Sequence, residues 1–193
     1  ELLGMDEVGR GVPVKIMRPL VADQSEMRRD MMPGLLRSVA YNIDHGVDNV
    51  HLYEIGRVFF GHPHRSQPDE PLFVSAAMCG SWSDDSWCAK RLPLDFFDAK
   101  GIVEGLLDAL RIVRVRFKAA DPARYGWLQP GRSAEVIAQG ELLGWVGNIH
   151  PTSLKNFDID VPVVAFELSV AALLRLAQRE LPYEDVPTLP GVS

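Results

Sequence analysis

The stretch Val-His-Leu-Tyr-Glu-Ile-Gly-Arg-Val-Phe-Phe, residues 50–60, decides the fold of this chain. It is rich in β-branched and aromatic residues, and this composition predicts a β-strand. Side chains alternate between the two faces of a strand, so Leu52 and Val58 point to one face. Tyr53 and Ile55 point to the other face. Because both faces are apolar, we expect a central strand that is covered on both sides.

Two charged residues lie inside this strand. Glu54 and Arg57 are an odd number of residues apart, so their side chains leave opposite faces and cannot neutralise each other across one surface. A buried charge without a partner would cost several kcal/mol. We therefore expect two separate structural ion pairs or hydrogen-bonded charges, although buried charges also occur at functional sites.

The run Glu-Ile-Gly-Arg-Val-Phe, residues 54–59, resembles the strand that opens motif two of class II aminoacyl-tRNA synthetases. Met27-Arg28 and residues 33–42 more specifically resemble the β chain of bacterial phenylalanine-tRNA ligase. In catalytic members this strand continues into Phe-Arg-x-Glu, whose arginine holds the ATP α-phosphate and the amino-acid carboxylate. Phe60 takes the position of that arginine here.

A second resemblance covers residues 165–173, which are similar to motif three of the same enzymes. Glycines stand in catalytic members where this chain has Glu167 and Ser169, and an arginine that stacks on the adenine stands where this chain has Ala172. The resemblance therefore implies the scaffold of a class II catalytic module without the two arginines that handle ATP.

The fold that we predict is α+β, an antiparallel sheet of about six strands flanked by helices, as in the class II catalytic module. The resemblance implies that strand 50–60 lies beside strand 163–168. Apolar spacing predicts a helix over residues 33–44 that ends at Gly46, and a second helix opened by Asp95. Ser169 is a candidate N-cap for a helix over residues 170–177.

Composition and charge narrow the class of protein. The chain is 47% apolar and 24% charged with a net charge of −6, and it contains no apolar run of membrane-spanning length, so we expect a soluble, cytoplasmic protein without a membrane partner. Basic residues concentrate over residues 111–118. They indicate either a basic surface that binds nucleic acid or the solvent-exposed face of an edge strand. The negative net charge of the chain favours the edge strand.

Candidate metal and catalytic residues are sparse. His62 and His64 lack a third ligand nearby, and Cys79 and Cys88 lack a matching second pair, so we read the cysteines as reduced thiols and predict no metal site. His150 ends a strand at a His-Pro step and is read as a structural histidine. No residue is predicted to be catalytic or to bind a cofactor, while the resemblance implies ATP and Mg²⁺ for the whole enzyme.

The chain is expected to divide into three parts. Residues 1–16 would be a connection from an upstream domain, and residues 12–17 would include a short strand. Residues 17–180 would form the class II-like core. Residues 181–193, with three prolines, would be a linker toward a missing C-terminal anticodon-binding domain.

The function that the resemblance implies is the noncatalytic core of the phenylalanine-tRNA ligase β subunit. In that family two α and two β chains assemble, so the expected partners are the α subunit, a second β subunit, and tRNA(Phe) through the whole complex. The residues assigned to the subunit contact are Met27, Met31, Met32, Leu35, Leu36, Val39 and Ile43. The methionines among them also suit an ordinary core. The alternatives are an ATP-binding class II-like ligase or amidating enzyme with non-standard residues, and a tRNA-binding module.

Overall fold

The structure, a computed structural model, describes residues 12–19, 25–82 and 92–178. Its helices and strands, in chain order, are α1 (Met32–Asp44), β1 (Val50–Arg57), β2 (Phe60–His62), β3 (Arg65–Asp69), β4 (Leu72–Cys79), α2 (Phe96–Ala109), β5 (Val115–Ala119), β6 (Leu128–Ala138), β7 (Glu141–Ile149), α3 (Pro151–Lys155), β8 (Val164–Ser169) and α4 (Val170–Leu176). The predicted linker over 181–193 and most of the predicted connection over 1–16 lie outside the described residues, so both stay predictions.

Six strands form one sheet in the order β1-β4-β8-β7-β6-β5, and every neighbouring pair is antiparallel. The strands β2 and β3 pair separately as a two-stranded hairpin. This architecture confirms the prediction of an α+β fold built on an antiparallel sheet with flanking helices.

Helices cover the sheet on both faces, and each face has its own hydrophobic core. On one face, called the α1 face below, α1 and α3 bury residues such as Leu36 and Leu154 against Trp145. On the other, called the α2 face below, α2 and α4 pack residues such as Val103 against Phe166. The two faces therefore offer two different surfaces on which a functional site can lie.

The helix α1 follows from its local sequence. Pro33 lies in its first turn, where the missing N–H costs no intrahelical bond. Leu35, Leu36 and Val39 form a buried stripe toward the sheet. The helix ends before Gly46, which has a φ of +82°. The predicted helix over 33–44 and its glycine stop are confirmed.

The side chains of Asp95 and Ser169 cap the N-termini of α2 and α4. The Asp95 carboxylate accepts from Phe97 N–H at 2.7 Å, and the Asp98 carboxylate accepts from Asp95 N–H at 2.7 Å. These two bonds form a capping box, so helix capping accounts for the paired aspartates. Ser169 Oγ accepts from Ala172 N–H at 3.4 Å and begins α4, as predicted.

The prediction that strand 50–60 is central and covered on both sides is wrong. β1 ends at Arg57 and is an edge strand, because β4 is the only strand of the described residues that pairs with it. The α2-face side chains of β1 are open to solvent, with Tyr53 77% exposed and Ile55 60% exposed. The reason is that, of the described elements, α2 and α4 pack mainly on β4, β7 and β8 rather than on β1.

Two further expectations about strands are also wrong. β1 does not lie beside the strand predicted over 163–168, because β4 pairs with both β1 and β8 and separates them. Residues 12–17 do not form a regular strand. They make only isolated bridges, between Val12 and Gly61 and between Lys15 and Glu26.

The basic stretch over 111–118 lies at the other edge of the sheet. Of the described strands, β5 pairs with β6 alone, and Arg116 and Lys118 on it are exposed, which matches the solvent-exposed face of an edge strand. Arg111 and Arg114 instead occupy the connection from α2, with positive φ values of 55° and 58°. The predicted edge strand therefore begins later than the basic stretch.

Candidate functional site

A row of polar residues crosses the α1 face from one edge of the sheet to the other. Directly opposite residues on paired strands point to the same face, so the strand register identifies the members of the row. They are, from β1 to β5, Glu54, Ser75, Glu167, Trp145, Glu135 and Lys118. Three carboxylates therefore share one surface of the sheet.

The first carboxylate, Glu54, is neutralised by Arg28. Arg28 Nη1 lies 2.7 Å from Glu54 Oε1, and Arg28 Nε donates to the carbonyl of Arg57 at 2.7 Å. Gly56 makes room for this arginine, because a Cβ at Gly56 would collide with Arg28 Nη2. The guanidinium therefore lies against Gly56 of β1 at that end of the row.

The partner of Arg57 is different. Arg57 Nη1 donates to the backbone carbonyl of Glu70 at 2.9 Å. Glu54 and Arg57 thus have separate partners on opposite faces, which confirms the prediction of two independent structural charges.

The middle of the row is held by Ser75 and Glu167. Ser75 is fully buried on β4, and its Oγ donates to Glu167 Oε2 at 2.8 Å. Because Ser75 cannot reach water, this bond satisfies a hydroxyl that would otherwise be costly to bury. Glu167 therefore has a fixed structural partner within the sheet.

The third carboxylate, Glu135, is buried against two cations. Its side chain is only 10% exposed and lies 3.3 Å from Arg124 Nη1 and 3.8 Å from Lys118 Nζ. Burial raises the pKa of the neighbouring Tyr125 to about 12, Arg124 lowers it, and the charge and hydrogen bond of Glu135 raise it further. Tyr125 is thus held as a neutral hydrogen-bond donor next to this carboxylate.

Aromatic rings fill the surface between Glu167 and Glu135. The ring centroids of Trp127 and Trp145 are 6.4 Å apart, and those of Tyr125 and Trp127 are 5.4 Å apart, both in edge-on arrangements. All three rings are about 5% exposed. This part of the α1 face is therefore closed by packed side chains.

Comparison with known proteins decides the family. A family model described as the phenylalanyl tRNA synthetase beta chain CLM domain matches residues 2–170. The chain belongs to this family.

Individual relatives agree with the family match. The phenylalanine--tRNA ligase beta subunits of Bacillus licheniformis and Bacillus subtilis are each 38% identical over 176 residues, which is 91% of this chain and 21% of the relative. The subunit of Syntrophotalea carbinolica is 35% identical over 188 residues, 97% of this chain and 23% of the relative. The chain thus spans 21–23% of the length of these three relatives.

The CLM domain places the two expected arginine positions on elements that are not paired with each other. Phe60 lies half-buried in the β2–β3 hairpin, outside the six-stranded sheet. Ala172 is 2% exposed and packs in the core of the α2 face. Ser169 and Glu167, which replace the motif-three glycines, serve as a helix cap and as the partner of Ser75.

The residues assigned to a subunit contact lie mostly in the core of this CLM domain. Five of them are at most 5% exposed, namely Met31, Met32, Leu35, Leu36 and Val39. Ile43 packs on the same core, and Met27 is partly buried. Their apolar character follows from packing within the chain. A contact of α1 with another subunit stays a prediction, and it would use the exposed side of the helix.

The histidines have structural surroundings. His150 Nδ1 accepts from Thr152 N–H at 3.2 Å and caps α3, so this histidine has a structural role. His62 Nε2 lies 2.7 Å from Asp69 Oδ2. Within residues 12–19, 25–82 and 92–178, no group of three or more His, Cys, Asp or Glu side chains is placed to hold a metal ion.

Of the two cysteines, Cys79 is buried, and burial raises the pKa of its thiol, with an opposing hydrogen bond from the Val50 backbone. Cys88 lies outside the described residues. None of the described helices is long and apolar enough to cross a membrane.

Sequence reasoning missed two members of the polar row and the cation that pairs with a third. Arg28 was not recognised as the partner of Glu54, and Ser75 and Glu135 were not singled out. One signal was present, since a glycine within a strand often marks the close approach of another group, and Gly56 admits Arg28. No local pattern indicated Glu135, whose partners come from other segments of the chain.

Proposed function

We propose that this chain is the noncatalytic core of the β subunit of phenylalanine-tRNA ligase. In this role it packs against the α subunit and helps to assemble the cytoplasmic enzyme that attaches phenylalanine to tRNA(Phe) with ATP and Mg²⁺. The observation that carries the proposal is that three carboxylates of the α1 face are already engaged by this chain's own side chains.

Nucleotide phosphates are bound on an open surface by cationic side chains or by backbone N–H groups. On the α1 face, Arg28 is held by Glu54 and by a backbone carbonyl, and Arg124 and Lys118 lie against Glu135. The carboxylates of the row add negative charge, which opposes a polyphosphate. These features support an assembly role and disfavour the alternative of an ATP-binding ligase.

The expected partners are the α subunit, a second β subunit, and tRNA(Phe) through the whole complex. The exposed side of α1 is the candidate surface for the α subunit. Tyr41 is 62% exposed there and stacks on His45 with ring centroids 4.1 Å apart. Arg37 is exposed one turn earlier on the same helix. An exposed aromatic ring next to an arginine is a common composition for the centre of an interface.

Copurification tests this role. Tyr41→Asp and Arg37→Glu should each reduce the amount of α chain that copurifies with this chain, because they remove the two candidate anchors. Leu174→Asp is the control, since it introduces the same charge at a 53% exposed residue on α4, away from α1. The proposal fails if no α chain copurifies with the unaltered protein. The α1 surface is rejected if the Tyr41 and Arg37 variants copurify with as much α chain as the unaltered protein does.

A further inference from the structure

The outer edge of β1 is partly covered by the chain itself. Phe59 N–H donates to the Arg28 carbonyl at 2.9 Å, and Arg28 Nε donates to the Arg57 carbonyl at 2.7 Å. Gly61 and Val12 exchange two backbone bonds of 2.9 and 2.8 Å just beyond. The chain's own segments thus protect the edge from Arg57 onward.

The direction of these bonds identifies the backbone groups that stay open. Val58 N–H points inward to the Pro71 carbonyl at 3.1 Å. The Arg57 carbonyl and the Phe59 N–H instead point outward, away from β4. Because these directions alternate along a strand, the backbone groups of the odd-numbered residues of β1 face away from β4. Among the residues that the structure describes, no other strand pairs with this side of β1. Within the described part of the chain, the open window therefore spans residues 51–55 and is centred on Tyr53.

On the α2 face, the side chains of this window are exposed and two of the three are mainly apolar. Tyr53 and Ile55 are 77% and 60% exposed on the α2 face, and His51 lies against Trp82 with ring centroids 4.9 Å apart. Trp82 is itself 55% exposed. The opposite edge of the sheet differs, since Arg116 and Lys118 supply the charges that discourage strand pairing. An unprotected apolar edge favours the addition of a strand.

We propose that the open window of β1 pairs antiparallel with β1 of a second copy of this chain, about a two-fold axis through Tyr53. This arrangement makes an isologous contact, because a two-fold axis brings the same strand of both copies together. His51 then lies opposite Ile55 of the second copy, and the two Tyr53 rings face each other. The apolar Ile55 side chain would pack into the notch formed by His51 and Trp82.

Charge favours the register with the axis at Tyr53 over the register with the axis at Glu54. With the axis at Tyr53, Glu54 lies opposite Leu52 of the second copy, so no like charges meet. A shift of the axis to Glu54 would place two carboxylates directly opposite each other, which is destabilising. The contact is short, so its affinity should be that of transient interfaces below about 1,200 Å², in the micromolar range.

Sedimentation of the chain over roughly 1–500 µM, which brackets a micromolar dissociation constant, measures the self-association. The unaltered chain should pass from monomer to dimer in this range. Tyr53→Lys should weaken dimerisation about tenfold or more, because two like charges would meet on the axis. Leu174→Lys, at a 53% exposed residue on α4, should leave dimerisation unchanged. A chain that stays monomeric throughout would overturn the proposal.

Cysteine cross-linking tests the register. In a Cys88→Ser background under mild oxidation with dissolved oxygen, Tyr53→Cys should give a disulfide-linked dimer, since hydrogen-bonded partners lie about 5.5 Å apart between Cα atoms. Ile55→Cys should not cross-link alone, because its two copies would be about 13 Å apart along the strands. It should cross-link when mixed with His51→Cys. Equal cross-linking by Ile55→Cys alone would reject the Tyr53 axis.

This contact gives the proposed pairing with a second β subunit a specific surface, but it does not depend on the α subunit. Loss of dimerisation is read from Tyr53 variants, and loss of α-chain copurification is read from Tyr41 variants. The two proposals can therefore fail independently.

Discussion

Gly56→Ala tests the packing that closes the α1 face. A methyl group at residue 56 would collide with Arg28 Nη2 and would lie 2.6 Å from Glu54 Oε1 and 2.8 Å from Met31 Cε. The end of the Met31 side chain can move, whereas the Arg28 guanidinium is fixed by Glu54 and by the Arg57 carbonyl. The substitution should therefore act mainly by displacing Arg28.

The magnitude follows from the interactions that are lost. Displacing Arg28 removes a half-exposed ion pair worth about 0.2–1 kcal/mol and a hydrogen bond worth about 0.5–1.5 kcal/mol. Replacing a strand glycine by alanine recovers about 0.5–1 kcal/mol of backbone entropy. The net expectation is a loss of about 1 kcal/mol in the free energy of unfolding.

A double-mutant cycle measured by urea unfolding isolates this effect. In an Arg28→Ala background the collision with Arg28 is absent, so Gly56→Ala should become neutral or stabilise by about 0.5 kcal/mol. The control is Gly101→Ala in α2, where nothing lies within 4 Å of the added methyl group, and it should stabilise by about 0.5–1 kcal/mol. An equal cost of Gly56→Ala in both backgrounds would refute the role assigned to Arg28.

Three further predictions concern the scaffold. Asp95→Ala should lower the free energy of unfolding by about 1 kcal/mol in urea titrations, because α2 loses its N-cap. Leu36→Ala should cost about 2–5 kcal/mol in the same assay, since Leu36 is fully buried, whereas Leu174→Ala at a 53% exposed residue should cost far less. Because the pKa of Tyr125 is raised, its contribution to the free energy of unfolding should be complete below pH 10 and should decline as the pH rises toward about 12. The reason is that the unfolded chain loses the tyrosine proton at a lower pH than the folded chain. Tyr125→Phe should remove the loss of stability that Tyr125 causes between pH 10 and about 12. A pH profile of stability that this substitution leaves unchanged would contradict the raised pKa of Tyr125.

Local signals explain what the sequence predicted correctly. Pro33 and Gly46 set the bounds of α1, and Asp95 and Ser169 begin helices, because caps and stops depend on a few neighbouring residues. The antiparallel α+β class followed from the resemblance together with the grouping of strands. These features do not require knowledge of distant contacts.

Distant packing explains what the sequence did not predict. A strand with apolar residues on both faces looks the same whether a helix covers it or leaves Tyr53 and Ile55 exposed. In the same way, the apolar stripe of α1 cannot distinguish its own core from a subunit contact. The pairing of Arg28 with Glu54 joins residues from separate segments, and only the folded chain brings them together.

The central claim is that the class II-like scaffold of this chain no longer binds a nucleotide and serves assembly. Calorimetric titration of Mg-ATP into the 193-residue chain tests this claim most directly. The account predicts no saturable heat, which corresponds to a dissociation constant weaker than about 1 mM. Saturable binding in the micromolar range, with one nucleotide bound per chain, would contradict it.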